Sequence, residues 1–228
     1  MSMNHRILFE DNHLIAINKQ SGDLVQGDKT GDEILPDLIK DYIGKKYNKS
    51  GAVYLGVVHR LDRPTSGVVI FARTSKALPR MNKLFAEQET NKTYWAIVEG
   101  NVPKKKERLE HYLVRNPKQN KSYAHDHEVP NSKKAALSYA VIKVLDRYTL
   151  LEIKLETGRH HQIRSQLSKI GCVIKGDLKY GAKRSNKDGS IHLHARSLEF
   201  IHPVKKEPVK IFAPVNSKDA LWKAVAEL

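Results

Sequence analysis

The stretch on which the reading of this chain turns is His59-Arg60-Leu61-Asp62-Arg63-Pro64-Thr65-Ser66-Gly67, set between two apolar, β-branched runs, Val53–Val58 and Gly67–Ala72. Runs of that length and composition predict strands, so the polar segment should be a loop at one end of a sheet. Asp62 lies between Arg60 and Arg63 in sequence, and cationic neighbours favour an ionised carboxylate. An acid kept ionised in a pocket can act as nucleophile or base. The same residues also suit an ordinary Asx-type turn, because Asp, Pro, Thr, Ser and Gly satisfy turn geometry locally. Taken alone, the segment supports both readings.

Working outward, residues 6–18 predict a short strand, a turn at Glu10-Asp11-Asn12 and a second strand at Leu14–Ile17. Asp32–Tyr42 predicts a helix with Ile34, Leu35, Leu38 and Ile39 on one face. Ser75 should cap a helix carrying Leu78, Met81, Leu84 and Phe85, with Pro79 in its first turn. Thr93–Val98 is apolar on both faces, the pattern of a central strand. Strands are predicted at Leu109–Val114 and Ser122–Ala124, with exposed loops around Pro103–Lys106 and Pro130–Lys134. Ala136–Leu145 and Arg147–Glu156 predict a hairpin. A helix follows over His160–Ile170, stopped by Gly171, then strands Ile191–Phe200 and Val209–Phe212 and a helix Lys218–Leu228 capped by Asn216. Hairpins with inserted helices define an α+β fold with a mainly antiparallel sheet. No repeat or low-complexity linker divides the chain.

The chain has 228 residues, 40 Lys+Arg and 25 Asp+Glu. The excess is regional: residues 1–50 hold seven basic and eight acidic side chains, residues 51–228 hold 33 and 17. A surplus confined to one region predicts a polyanion partner, nucleic acid before membrane. The single cysteine, Cys172, lies in an apolar run and is expected to be a buried, inert thiol; it cannot form an internal disulfide, which fits a cytoplasmic protein. The N-terminal residues lack the apolar stretch of a signal peptide, and no window approaches a membrane span.

Three further segments could carry chemistry. Thr157–Leu167 places Arg159, His160 and Arg164 at a predicted helix start, an unfavourable charge arrangement unless an anion sits there. Main-chain N–H groups with Arg159 and Arg164 would bind a phosphate or carboxylate; otherwise the segment is an exposed basic helix start. His192 and His194 share one side of a strand, and with His160, His161 and His202 they raise a metal site. Helical geometry would splay His160 and His161 by about 100°, and no zinc-ligand spacing is present. Lys92–Gly100 puts Tyr94 and Trp95 on opposite faces of a strand, as core residues or as a ring on which a base could stack.

As an ordered set these segments resemble the RluA-type RNA pseudouridine synthases. His59–Gly67 resembles the family's catalytic-loop motif, Lys92–Gly100 its second motif and Thr157–Leu167 its third. Gly176–Gly181 and Leu193-His194-Ala195 through His202-Pro203 resemble its downstream signatures. The likeness runs from about residue 6 to residue 215. One departure is Gln20 after Lys19, where the family commonly has proline.

The resemblance implies a single catalytic domain over residues 1–228 without an S4 domain. It implies an α+β pseudouridine-synthase-like fold: a mixed, mostly antiparallel eight-stranded sheet with flanking helices and a central cleft. It implies an isomerase acting on a uridine of structured rRNA or tRNA, with no cofactor, no metal and no obligate protein partner. By its motifs, Asp62 is the essential aspartate, nucleophile or ribose base. Tyr94 stacks on the uracil and takes part in the final proton handling, and Arg164 keeps the aspartate ionised. Arg60 fills the space of the extruded nucleotide, and Ile163 packs beneath the uracil. Arg63, Arg159 and His160, with Lys104, Lys105, Lys106, Lys133 and Lys134 as a basic surface, are expected on the RNA. The competing reading is a basic RNA-binding or ribosome-assembly factor of the same fold without turnover.

Overall fold

In the computed structural model, which describes residues 3–27, 31–100 and 102–226, the chain gathers into two compact units. Met1–Asn91 with Ala195–Val215 forms one, and Lys92–His194 with Asn216–Leu228 forms the other.

In the first unit, strands β1 (Ile7–Glu10), β2 (Leu14–Lys19) and β4 (Ser66–Ala72) pair antiparallel in sequence order. The two-residue β3 (Gly56–Val57) pairs with the end of β4, and β10 (Leu193–Ile201) forms a hairpin with β11 (Pro208–Phe212). All six residues of β2 are buried because both faces of the sheet are covered. Leu14, Ala16, Val68, Ile70 and Ala72 pack with Ala77 and Met81 of α2 (Ala77–Ala86). Their strand neighbours Ile15, Ile17, Val69 and Phe71 pack with Leu35, Ile39 and Ile43 of α1 (Leu35–Lys46). The period-two alternation of side chains thus sends successive residues to different helices.

In the second unit, five strands run in the order β5 (Thr90–Glu99), β9 (Tyr148–Leu155), β8 (Lys133–Val144), β6 (Lys106–Asn116) and β7 (Lys121–His125). Every register between them is antiparallel. The other edge of β5 bonds to residues 173–175 and to His192, so β5 is central, as its apolar faces predict. Helix α3 (Gln162–Lys169) lays Ile163 and Leu167 on Ala96, Val98, Leu109, Leu137, Leu151 and Ile153.

The α+β class and the antiparallel bias hold. The described residues contain eleven strands, where the family resemblance implies eight; the eleven include the two-residue β3. Helix α1 starts later than predicted because Ile34 is extended and bridges Leu24, with Leu35 N–H donating to Leu24 O at 2.7 Å. Most of the run 53–58 lies outside the ladder, and the loops expected at 103–106 and 130–134 are partly the ends of β6 and β8. Thr74, not Ser75, has its hydroxyl at the start of α2, accepting from Ala77 N–H at 3.2 Å. The last helix is α4 (Ala220–Lys223), capped by Asp219, which accepts from the N–H groups of Leu221 and Trp222 at 2.9 Å each. Asn216 instead closes its own turn onto Lys218. The end of the predicted helix at 227–228 lies outside the described residues.

Gly67 opens β4 at φ +115°, and a Cβ there would stand 2.3 Å from Ala195 O. Side chains rarely adopt that φ, and the main chain it would meet cannot be rotated away. Gly67→Ala is expected to destabilise the fold by at least about 2 kcal/mol, read as a lowered denaturation midpoint; an unchanged midpoint would contradict this close approach.

Candidate active site

Asp62 stands in the loop between β3 and β4, half-buried. What holds this loop is Lys19, the last residue of β2, whose side chain is fully buried. Its Nζ donates to the main-chain oxygens of Gln20, Asp62 and Arg63 at 3.1 Å each and of Thr65 at 2.6 Å. Burial pushes the Lys19 ammonium down to about 8, against the opposing fields of the Asp23 and Asp62 carboxylates. Gln20 N–H, a donor that proline would lack, bonds Asp23 Oδ2 at 2.8 Å and closes the turn after Lys19. The loop is braced further by Thr65 N–H on Asp62 O at 3.0 Å and Gly22 N–H on Arg63 O at 2.9 Å. His59 Nε2 accepts from Ile70 N–H at 3.2 Å, and its ring stacks on Phe85 at 4.8 Å.

The flanking arginines are exposed and engage other partners: Arg63 Nη2 donates to Asp32 at 2.8 Å, and Arg60 Nη1 donates to Gln26 Oε1. Lys19 is therefore a cation acting on Asp62 that adjacency in sequence did not reveal. Its signal was present, a lysine two residues beyond the apolar run Leu14–Ile17, but nothing local says which loop it meets.

In the second unit, Arg164 is 5% exposed on α3. Its Nε and Nη2 donate to the two oxygens of Asp177 at 2.7 and 2.8 Å, a bidentate pair that fixes the guanidinium plane. Nη1 meets His161 Nε2 at 3.1 Å. A guanidinium can only donate, so His161 accepts at Nε2 and carries its proton on Nδ1, which faces Tyr180 Oη at 2.9 Å. The Tyr180 ring lies 5.0 Å from the Arg164 guanidinium carbon, and its oxygen also accepts from Ser122 N–H at 2.8 Å. Asp177, 1% exposed, and Tyr180 were quoted in a motif, yet no sequence signal tied them to Arg164.

The helix begins two residues later than predicted because His161 is left-handed, φ 51° and ψ 27°. The same backbone turn brings His160 and His161 face to face, ring centroids 3.9 Å apart and 18° from parallel, instead of splayed on a helix. The alternative to an anion site, an exposed basic helix start, does not hold, because Gln162, Arg164, Ser165 and Gln166 are buried. Gln162 Oε1 accepts from Thr157 Oγ1 at 2.7 Å and Arg159 N–H at 2.9 Å, while Gln162 and Gln166 donate to the main chain of Ala136 and Ala135. The carboxylate that meets Arg164 is the protein's own.

Tyr94 is half-buried on β5 opposite Ile153, and it packs on the cluster containing Ile163, which is 5% exposed; Trp95 takes the other face. Arg159 Nε donates to Lys134 O at 3.1 Å. His160 bonds Ser122 Oγ at 2.8 Å and Asn120 Oδ1 at 3.1 Å. The predicted basic surface is divided: Lys106 pairs with Ala140 and Lys133 with Leu113, seven positions apart, roughly 24 Å along the ladder. Lys104 bridges Glu107 and Lys134 bridges Glu110, and Lys105 is exposed with its carbonyl bonded to Val141 N–H.

Among the described residues no group of three or more His, Cys, Asp or Glu could hold a metal ion. His192 bonds Asp219 and Asn186 and stacks on Trp222, His194 leans on the same ring, and His202 accepts from the N–H groups of Val204 and Lys205. Cys172 is buried, its thiol raised by burial. No helix among these residues is long and apolar enough to cross a membrane.

Residues 13–169, which hold the Asp62 loop, Tyr94 and Arg164, match the family model for RNA pseudouridylate synthases. The chain belongs to that family, whose members are isomerases. Among its relatives, tRNA pseudouridine synthase C of Vibrio vulnificus (strain CMCP6) is 32% identical, over 97% of this chain and 94% of that protein. Ribosomal large subunit pseudouridine synthase C of Buchnera aphidicola subsp. Baizongia pistaciae is 34% identical, over 93% of this chain and 68% of that protein. The fold matches the human RNA pseudouridylate synthase domain containing 4 structure with a TM-score of 0.81, at 22% identity, over 99% of this chain and 94% of that one.

Two outcomes check the buried charges. Asp177→Asn leaves the Arg164 guanidinium buried without its counter-charge, an expected loss of about 3–5 kcal/mol in chemical denaturation. A value within error of wild type would mean that the pair does not hold α3 in place. For Lys19, the folded chain releases its proton near pH 8 and the unfolded chain near its ordinary value of about 10.4. Between these the unfolded state binds more protons, so stability gains with rising pH, by up to about 1.4 kcal/mol per pH unit. Lys19→Met should lose stability at neutral pH and lack that alkaline gain; parallel pH profiles for the two proteins would contradict the depressed value.

Proposed function

We propose that this protein converts a uridine in a tRNA or rRNA stem-loop to pseudouridine, acting as one catalytic domain with Asp62 as the reacting carboxylate. The observation that carries the reading is the Lys19 clamp: a buried ammonium grips the main-chain oxygen of Asp62 itself and those of Arg63 and Thr65 just after it, and so fixes the backbone that carries a half-buried carboxylate. A turn serving structure alone does not need its acid presented in this way.

The reaction is an isomerisation with no net exchange of atoms other than a proton. The N1–C1′ bond of the uridine breaks, the uracil turns while held, C5 bonds to C1′, and the C5 hydrogen leaves as a proton while N1 takes one up. Because everything happens on one bound nucleotide, positioning and charge stabilisation carry the acceleration. Asp62 attacks C1′ or takes a proton from the ribose. Tyr94, a ring against the buried cluster holding Ile163, offers a stacking face for the uracil and a hydroxyl for the closing proton transfer. Arg164 contributes a positive charge whose orientation is set by Asp177. Arg60 and Arg63, exposed on the Asp62 loop, suit the extruded nucleotide and its phosphates, and a loop uridine is the accessible target because it is already partly unstacked. Arg159 and His160, with Lys104–Lys106, Lys133 and Lys134, are assigned to the RNA backbone.

Asp62→Asn and Asp62→Ala are expected to bind RNA but release no tritium from RNA labelled at uracil C5. Full turnover by either variant would overturn the assignment. Binding without turnover by the wild-type protein, on a complete set of unmodified cellular RNAs, would favour the RNA-binding factor instead.

A further inference from the structure

The lysines singled out from the sequence are not the most selective basic feature of the second unit. Lys104 and Lys134 each face a glutamate. By contrast, residues 113–125 and 178–187 together hold seven Lys/Arg and no Asp or Glu. The structure stitches these two segments together. Lys179 Nζ donates to the main-chain oxygens of Gln119 and Asn120 at 3.3 and 3.0 Å, Ser122 N–H donates to Tyr180 Oη, and Lys121 Nζ lies 5.1 Å from the Tyr180 ring.

The β6–β7 hairpin that results has the features of a single-strand reader. Its turn, closed by Asn120 N–H on Pro117 O, holds Lys118 in an exposed position. Lys121 and Tyr123, two residues apart on β7, project from the same face, and Tyr123 is 40% exposed with the Lys121 ammonium 5.2 Å from its ring. An exposed ring flanked by cations suits a stacked base with phosphates on either side. The surface also adjoins Arg164 and His160 of the same unit, because the Tyr180 ring that Lys121 approaches is the one beside Arg164, and His160 bonds Ser122 and Asn120 of the same hairpin.

We propose that the β6–β7 hairpin tip, with Lys179, is a docking surface for the single-stranded RNA flanking the target nucleotide, with Lys118, Lys121 and Lys179 on phosphates and Tyr123 under a base. This rests on the reading that the protein acts on RNA. Commitment to RNA over an acidic protein surface follows from the ring: carboxylates need the cations alone, whereas bases also use the exposed aromatic face.

The test is binding of a synthetic RNA stem-loop with a uridine-rich loop, followed by fluorescence anisotropy across a salt series. The slope of log K against log salt should become shallower by about 2 in the variant carrying Lys118→Gln, Lys121→Gln and Lys179→Gln, at about 0.7 per lost single-strand phosphate contact. Removing three exposed lysines elsewhere, Lys49→Gln, Lys76→Gln and Lys218→Gln, should not reproduce that change. Should the triple variant prove unstable, Lys118→Gln alone carries the test with about a third of the effect. Tyr123→Ala should weaken binding roughly five- to a hundredfold and Tyr123→Phe much less. An unchanged slope in the hairpin variants, an equal change in the control set, or equal effects of Tyr123→Ala and Tyr123→Phe overturns the proposal. If wild-type protein itself fails to bind the stem-loop, the RNA reading falls; if it binds steeply and the hairpin variants match it, only this surface falls.

Discussion

An ammonium group with no access to water, satisfied by the oxygens of a loop rather than by one counter-ion, is the interaction on which the candidate site depends. Lys19 ends a strand whose every residue is buried, so its charge sits where desolvation is expensive. Carbonyl dipoles from Asp62, Arg63 and Thr65 offset that cost only while the loop keeps one conformation. The coupling works in both directions: the loop solvates the lysine, and the lysine fixes the loop. The close approach of Gly67 to Ala195 fixes the same loop's exit into β4, so the chain is held at Asp62 itself and onward to the strand that follows it.

The second unit solves a related problem by different means. Arg164 is buried on a helix whose inward surface is largely polar, and its guanidinium and the glutamine amide N–H groups there have specific partners. Asp177 supplies the counter-charge, the neutral His161 ring accepts a further N–H, and the glutamines bond main-chain carbonyls at the end of the sheet. Networks of this kind rigidify the groups they satisfy. Rigidity is what an isomerase working on one bound nucleotide requires, since small displacements of its charged groups cost rate directly.

Much of the fold was legible in the sequence. The α+β class, the centrality of β5, the β8–β9 hairpin and the stop at Gly171 all follow from periodicity and turn chemistry, which are local. Motif order singles out Asp62, Tyr94 and Arg164, and only the tertiary structure supplies their surroundings. Where local reading failed, a long-range contact had intervened. Leu24 holds Ile34 extended and delays α1, and the left-handed His161 delays α3 and stacks two rings that a helix would separate.

The sequence by itself determined which segments become strands and helices, which face of each is apolar, and which side chains are able to do chemistry, because those properties belong to neighbours along the chain. Tertiary structure alone decided that Lys19 meets the Asp62 loop, that Arg164 meets Asp177, and that Lys121 and Lys179 join one hairpin tip. These partners lie from 13 to about 60 positions apart, and no spacing rule encodes the partner of a buried charge. That choice is made by burial, which penalises a charge severely enough that only the arrangement satisfying it survives.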